Sequence, residues 1–463
     1  MLTSEKTDLL QSFLGALPGH LAARLAKAVE VDRLTDGTSL PHNLILDGLR
    51  PALRRGDNAH RTPTPLRLFC RPFEDLLVDG PRKEKQRGRI LRASVTPLWT
   101  WLAQTLLPAE SKSYYDEVKA AVLAYKFDIA QARAEAFWPV AGEAVLKAIA
   151  KDRKAARLRL NGDDGLGDVE EMALMLSAGS RMVEVQAIMP KPVPVLNEDL
   201  LWRLRGIYDA VVASVPDAAP YVPVVTMERL AKPWEALRLA LLLTHQTVDT
   251  LISATDMGLV GDLLFADLEH YRGAIHGAHH PNFDEGALLA NLAAFTDISS
   301  AVVKEIDIRR DGKWGKRLLK DRAAVGAVMD GFMERAPKEI AAALPVQKSG
   351  FSGSARLPDF SRQVDPDRHA RALRYARLMG GSRHLAAAAS FGAKLKDAMD
   401  EAGSVLQRYN EDLVKELRSA EGARREVVER QFELCTTLTS IVFSEEEAEF
   451  LRRRGKAALS AAA

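Results

Sequence analysis

The sequence is short of cysteine, of aromatic residues and of charge of one dominant sign. Only two cysteines, Cys70 and Cys435, occur among 463 residues, and they lie far apart in the chain. Two isolated thiols build neither a disulfide framework nor a four-cysteine zinc site. They suit a reducing compartment, so the cytoplasm is the expected location. Lys and Arg number 64 against 62 Asp and Glu, a formal net charge of +2. That balance excludes polyanion binding by bulk charge, and any electrostatic partner must meet a local patch.

Long hydrophobic runs are also missing. The most apolar one, Leu237 to Leu243, is interrupted by Arg238. It falls far short of the roughly 20 residues of a membrane helix, so no transmembrane segment is expected. The opening residues carry Glu5 and Asp8 without a long apolar core, unlike a secretory signal. No Gly-x-Ser-x-Gly elbow and no P-loop occur. Gly162, Gly165 and Gly167 follow no strand and lack dinucleotide-site spacing. Read as a calcium loop from Asn161, the same stretch puts Leu166 where glycine is required and Met172 where glutamate is required.

What remains favours helix. Ala, Leu and Arg are abundant, aromatics are 6%, and hydrophobic residues make up 47%. Such side chains lose little freedom in a helix, and the total suffices for a sizeable core. The fold class expected is all-α: a multi-helix body, then a Pro/Gly/Ser-rich linker leading to a long amphipathic C-terminal helical part. Tyr221 to Val225 is the best strand candidate, demoted by Pro223 to an edge or an extended loop.

Four regions follow from the breaks. Residues 1–160 form an N-terminal helical region that contains a basic, proline-containing segment at 50–92. Its first two helices place Leu9, Leu10, Phe13, Leu14 and Leu17 on one stripe, and Leu21, Leu25 and Val29 inward, a hairpin that needs something else to cover it. Residues 161–344 form a central helical region, in which Asp168 and Asn197 are expected N-caps. Residues 345–367 read as a flexible linker. In the coiled-coil-like region 368–463, Leu395, Met399, Leu406, Tyr409, Leu413 and Leu417 follow a 3.5-residue seam suited to a partner helix. Ser444 starts a capping-box pattern.

Three groups of residues could carry function. His270, His276, His279 and His280 lie within a short stretch and are suitable ligands for a divalent metal, although the spacing matches no known metal motif and Gly273 and Gly277 disfavour a helix. Arg82, Lys83, Lys85, Arg87 and Arg89, with Lys313, Trp314, Lys316 and Arg317 in the basic stretch 309–320, combine cations with an aromatic ring, a mixture that pairs phosphates and stacks on bases. The C-terminal seam offers a surface for another protein or for self-association. The leading expectation is a non-enzymatic scaffold, adaptor or regulator with no cofactor. The alternatives are a nucleic-acid or anionic-partner binder and a metal-dependent enzyme.

Overall fold

The computed structural model describes residues 4–35, 40–55, 63–82, 84–244, 255–280, 282–306, 312–348, 356–361 and 365–460. Most of them are helical, in agreement with the all-α class read from the sequence. The chain forms two compact units. Unit 1 comprises Met1–His245 with Asp256–Val260, and unit 2 comprises Gln246–Thr255 with Gly261–Ala463. The break falls inside the region 161–344 that the sequence suggests as one stretch.

Unit 1 contains α1 (Ser4–Ala16), α2 (Gly19–Leu34), α3 (His42–Arg55), α4 (Pro65–Cys70), α5 (Val95–Trp101), α6 (Pro108–Leu123) and α7 (Phe127–Lys151). It continues with α8 (Arg153–Arg159), α9 (Asp163–Ser177), α10 (Gly179–Ile188), α11 (Glu198–Ser214), α12 (Tyr221–Arg229) and α13 (Ala236–Thr244). The proline-containing segment does pack onto the body. Phe69 and Phe73 are fully buried and join Trp99, Tyr114 and Phe137 in an aromatic cluster, with Tyr114 and Phe137 stacked at 4.5 Å. The polar ends of this cluster close the short helix α4: the Tyr114 hydroxyl donates to the Pro65 carbonyl at 2.7 Å, and the Trp138 indole to that of Leu68 at 3.0 Å. Cys70 is buried against this core, and burial raises its thiol pKa to about 12.

Several local readings change. Tyr221 to Val225 is helix, not strand, because Pro223 falls in the first turn of α12, where no N–H partner is lost. Helix α9 starts at Asp163, so Asp168 is an interior residue and not a cap. Asn197 does cap α11, its side-chain oxygen accepting from Leu200 N at 2.9 Å. On α2 the buried face is Ala22, Ala26 and Val29, which leaves Leu21 and Leu25 outward.

Unit 2 contains most of α14 (Gly258–Gly277), then α15 (Glu285–Glu305), α16 (Lys313–Ala342), α17 (Pro366–Ser382), α18 (Gly392–Ser419), α19 (Gly422–Val442) and α20 (Glu445–Ser460). Helix α16 packs on α17 and α18, and α18, α19 and α20 pack on one another. Helix α15 is long and apolar enough to cross a membrane by length and composition alone. It packs on α17 and buries Leu288, Leu292, Phe295 and Ile298 in the protein. Within 345–367, Val346–Lys348 (β3) pairs antiparallel with Arg356–Pro358 (β4) and β4 packs on α18, while 349–355 and 362–364 lie outside the described residues. Ser444 opens α20 as expected, accepting from Glu447 N at 3.2 Å. Cys435 is buried on α19, and burial raises its thiol pKa as well.

Trp314 on α16 is fully buried against Gly261 of α14, where a Cβ would lie 2.2 Å from the indole ring. Gly261→Ala is therefore expected to cost about 1–3 kcal/mol by overpacking, read as a lower urea midpoint with red-shifted tryptophan emission. Gly206→Ala, on an open face of α11 where a Cβ meets nothing within 4 Å, should gain up to about 1 kcal/mol.

Candidate functional site

The densest cluster of charge in unit 1 gathers most of the described basic residues singled out between 82 and 92. Asp168 and Glu171 lie three residues apart on α9, hence on one helix face, and both are buried. Two short strands, Leu77–Val78 (β1) and Ile90–Leu91 (β2), pair in parallel and hold the connecting chain over that face. Arg82 grips Asp168 with two nitrogens, at 2.8 and 3.0 Å. Lys85 bridges Asp168 at 2.9 Å and Glu171 at 2.7 Å. Ser94 Oγ donates to Asp168 at 2.7 Å, and the Gly88 amide donates to Glu171 at 2.7 Å. Arg87 pairs with Asp256 at 3.0 Å and lies over the Tyr221 ring. Arg89 is half-buried, and its carbonyl accepts from Lys85 at 2.8 Å. Lys83 lies outside the described residues.

The two carboxylates titrate in opposite directions. Burial pushes Asp168 up, but hydrogen bonds from Arg82, Ser94 and Lys85, with the Lys85 charge, more than offset it and hold it below the usual carboxylate range. For Glu171 burial outweighs Lys85 and the Gly88 amide, so its pKa is raised. The cluster is internally neutralised. It positions a loop and does not offer these cations to a polyanion.

In the second basic stretch Trp314, Lys313 and Arg317 are engaged, while Arg309 and Arg310 lie outside the described residues. The Trp314 indole donates to Asp262 at 3.2 Å from inside the core, so this ring cannot stack on a base. Lys313 pairs with Asp262 at 3.2 Å, and Arg317 bonds Glu269 at 2.8 Å and the Phe265 carbonyl at 3.1 Å. Lys316 is exposed.

Helix α14 continues through Gly273 to Gly277, so His270 and His276 are helical where the glycines suggested a loop, and His279 and His280 follow the helix end. His270 and His276, six residues apart, point about 120° apart around it. All four histidines are exposed, and His279 sets its edge on Phe332. Among the described residues no three His, Cys, Asp or Glu side chains gather as a metal would need. His276 instead lines a cavity of about 260 Å³ with Arg272, Gly273, Ala324, Val325 and Val328. Arg272 is anchored at 3.3 Å to the buried Asp321, whose pKa burial raises.

The C-terminal seam is closed by its own chain. Leu395, Leu406, Tyr409, Leu413 and Leu417 are buried and Met399 is half-buried, in a helix that packs on α16, α19, α20 and β4. A buried Asn410–Thr439 hydrogen bond at 3.0 Å links α18 to α19. This stripe is therefore not open to a second helix, and a coiled-coil pairing through it is corrected to an intrachain bundle.

Several large apolar side chains stay exposed, among them Leu158, Trp202 and Phe450, and a group of them lies on the N-terminal helices. Helices α1 and α2 both pack on α3 around Leu14, Ala22, Ala26, Leu49 and Ala52. Leu9, Phe13, Leu21 and Leu25 stay exposed. Tyr125 and Phe127, at the α6–α7 turn, are exposed as well and had no periodic signal to mark them. No family model, curated protein or solved structure matches the chain.

Asp168→Asn leaves Lys85 and Arg82 short of a buried countercharge and is expected to cost about 3–5 kcal/mol near neutral pH. Because the folded pKa of Asp168 is depressed, its contribution is complete above the ordinary carboxylate range and fades as pH falls below it. Urea denaturation at several pH values should show the gap between variant and parent constant near pH 7 and closing below about pH 4.

Proposed function

We propose that the chain is a non-enzymatic helical adaptor or regulator that works through protein contacts. The observation that carries this reading is the outer face of α1. Leu9 is 68% exposed and Phe13 is 64% exposed, one helical turn apart, while Leu10 and Leu14 of the same helix turn to the α3 core. Large apolar side chains at i and i+4 on an outer face, next to a helix's own satisfied core stripe, are the pattern of a helix that meets a partner.

Two further points support it. The charged clusters that suggested nucleic-acid binding are mostly engaged in ion pairs within their own units. Both thiols are buried and unpaired, which fits a reducing compartment such as the cytoplasm. The contact surface moves from the C-terminal seam to the N-terminal helices.

A photo-crosslinking residue placed at Phe13 in living cells should yield a discrete protein adduct. The same residue at the exposed Lys396 serves as the control. Phe13→Asp, introduced beside a crosslinker at Leu9, should abolish the adduct without lowering the melting temperature. No adduct beyond that of the control would sink the adaptor reading.

A further inference from the structure

We infer that the outward face of α2, with the exposed turn at Tyr125, is a docking surface for an acidic amphipathic helix of another protein. The inference rests on the adaptor reading above and names the chemistry of the partner. Two ridges run side by side along the face. His20, Arg24 and Lys27 recur at i, i+4 and i+7, and Leu21, Leu25 and Ala28 recur at the same spacing one residue on. All six are exposed, with Leu21 at 42% and Leu25 at 37%. The acids of α2 turn away from this face: Glu30 pairs with Arg67 at 2.5 Å and Asp32 with His42 at 2.8 Å. Among the described residues neither Arg24 nor Lys27 has an ion-pair partner. An apolar ridge beside one that carries Arg24 and Lys27 and no acid matches a helix with Leu or Phe on one stripe and Asp or Glu on its edge.

The Tyr125 turn extends the face. Lys27 sits over the Tyr125 ring at 5.8 Å, and Tyr125 meets Phe127 at 6.0 Å. Tyr125 is 66% exposed and adopts φ +57° as the left-handed residue that closes the C-terminus of α6, its amide donating to the Val122 carbonyl and that of Lys126 to the Ala121 carbonyl. This exposed ring, with Lys27 and Phe127 beside it, adds apolar area to the face. A two-fold pairing with a second copy would bring like charges together across the interface. For a bilayer the face offers two leucines and an alanine, little apolar area for interfacial binding.

The test uses the full chain and a fluorescein-labelled synthetic amphipathic helix with a Leu/Phe stripe flanked by Glu. The same peptide with Lys for Glu serves as the comparison, and phosphatidylcholine vesicles with and without phosphatidylserine are run in parallel. The Glu peptide is expected to bind at least about tenfold more tightly than the Lys peptide. Arg24→Glu with Lys27→Glu should invert that preference, and Tyr125→Ala should weaken the Glu peptide. Circular-dichroism melts of the variants should stay unchanged, since the side chains are exposed. Equal binding of the two peptides, a preference that survives charge reversal, binding only to phosphatidylserine vesicles, or a dimer abolished by the reversal would each overturn the inference. A protein adduct at Phe13 with no discrimination between peptides leaves the adaptor reading standing and removes only the acidic-helix partner.

Discussion

Two carboxylates on one face of α9 hold unit 1 in its observed arrangement. Asp168 and Glu171 are sunk where an unpaired charge costs several kcal/mol, so the fold must bring cations to them. Arg82 and Lys85 meet that need, and with them come the backbone of residues 88–91 and the hydroxyl of Ser94. A stretch too rich in charge and proline to bury itself by hydrophobic periodicity is ordered by electrostatics, and the buried Phe69, Phe73 and Leu76 anchor the chain just before it. What the sequence shows as a basic patch is one half of a neutral cluster. The other half lies more than eighty residues on.

That separation explains much of what was legible and what was not. Amphipathic period and local caps are encoded within a few residues, so the all-α class, the cap at Asn197 and the start of α20 at Ser444 could be read directly. Ion pairing across long sequence separation is not encoded locally, and Arg82, Lys85 and Trp314 were therefore read as surface groups. Asp168 was misplaced because an acid after glycines resembles a cap, whereas α9 had already begun at Asp163. Tyr221 to Val225 has β-branched composition, yet Pro223 sits within a first helical turn, and burial on nearly every side overrides propensity.

Two errors of facing share one physical cause. On α2, Leu21, Leu25 and Val29 and the set Ala22, Ala26 and Val29 satisfy the same helical period, and only the tertiary contact with α3 selects the alanines. Close helix approach favours small residues, so the larger leucines are left outward. On α18 the seam was located correctly as a stripe, but a 3.5-residue repeat describes burial against any helix. Whether that helix belongs to the same chain is a question of topology, and the buried Asn410–Thr439 pair and the neighbouring α16, α19 and α20 answer it. The seam on α18 is therefore closed by its own chain, whereas Leu9 and Phe13 on α1 stay exposed.

The two cysteines gain a separate significance from their placement. Each is buried in a different unit, Cys70 in unit 1 and Cys435 in unit 2, and burial keeps each thiol from ionising near neutral pH. In the folded chain both are chemically silent. A thiol reagent reaches either one only when the surrounding structure opens, so the rate at which it is consumed reports that opening. The chain thus carries two native clocks, one in each unit, that can time the loosening of one unit independently of the other without any engineered label.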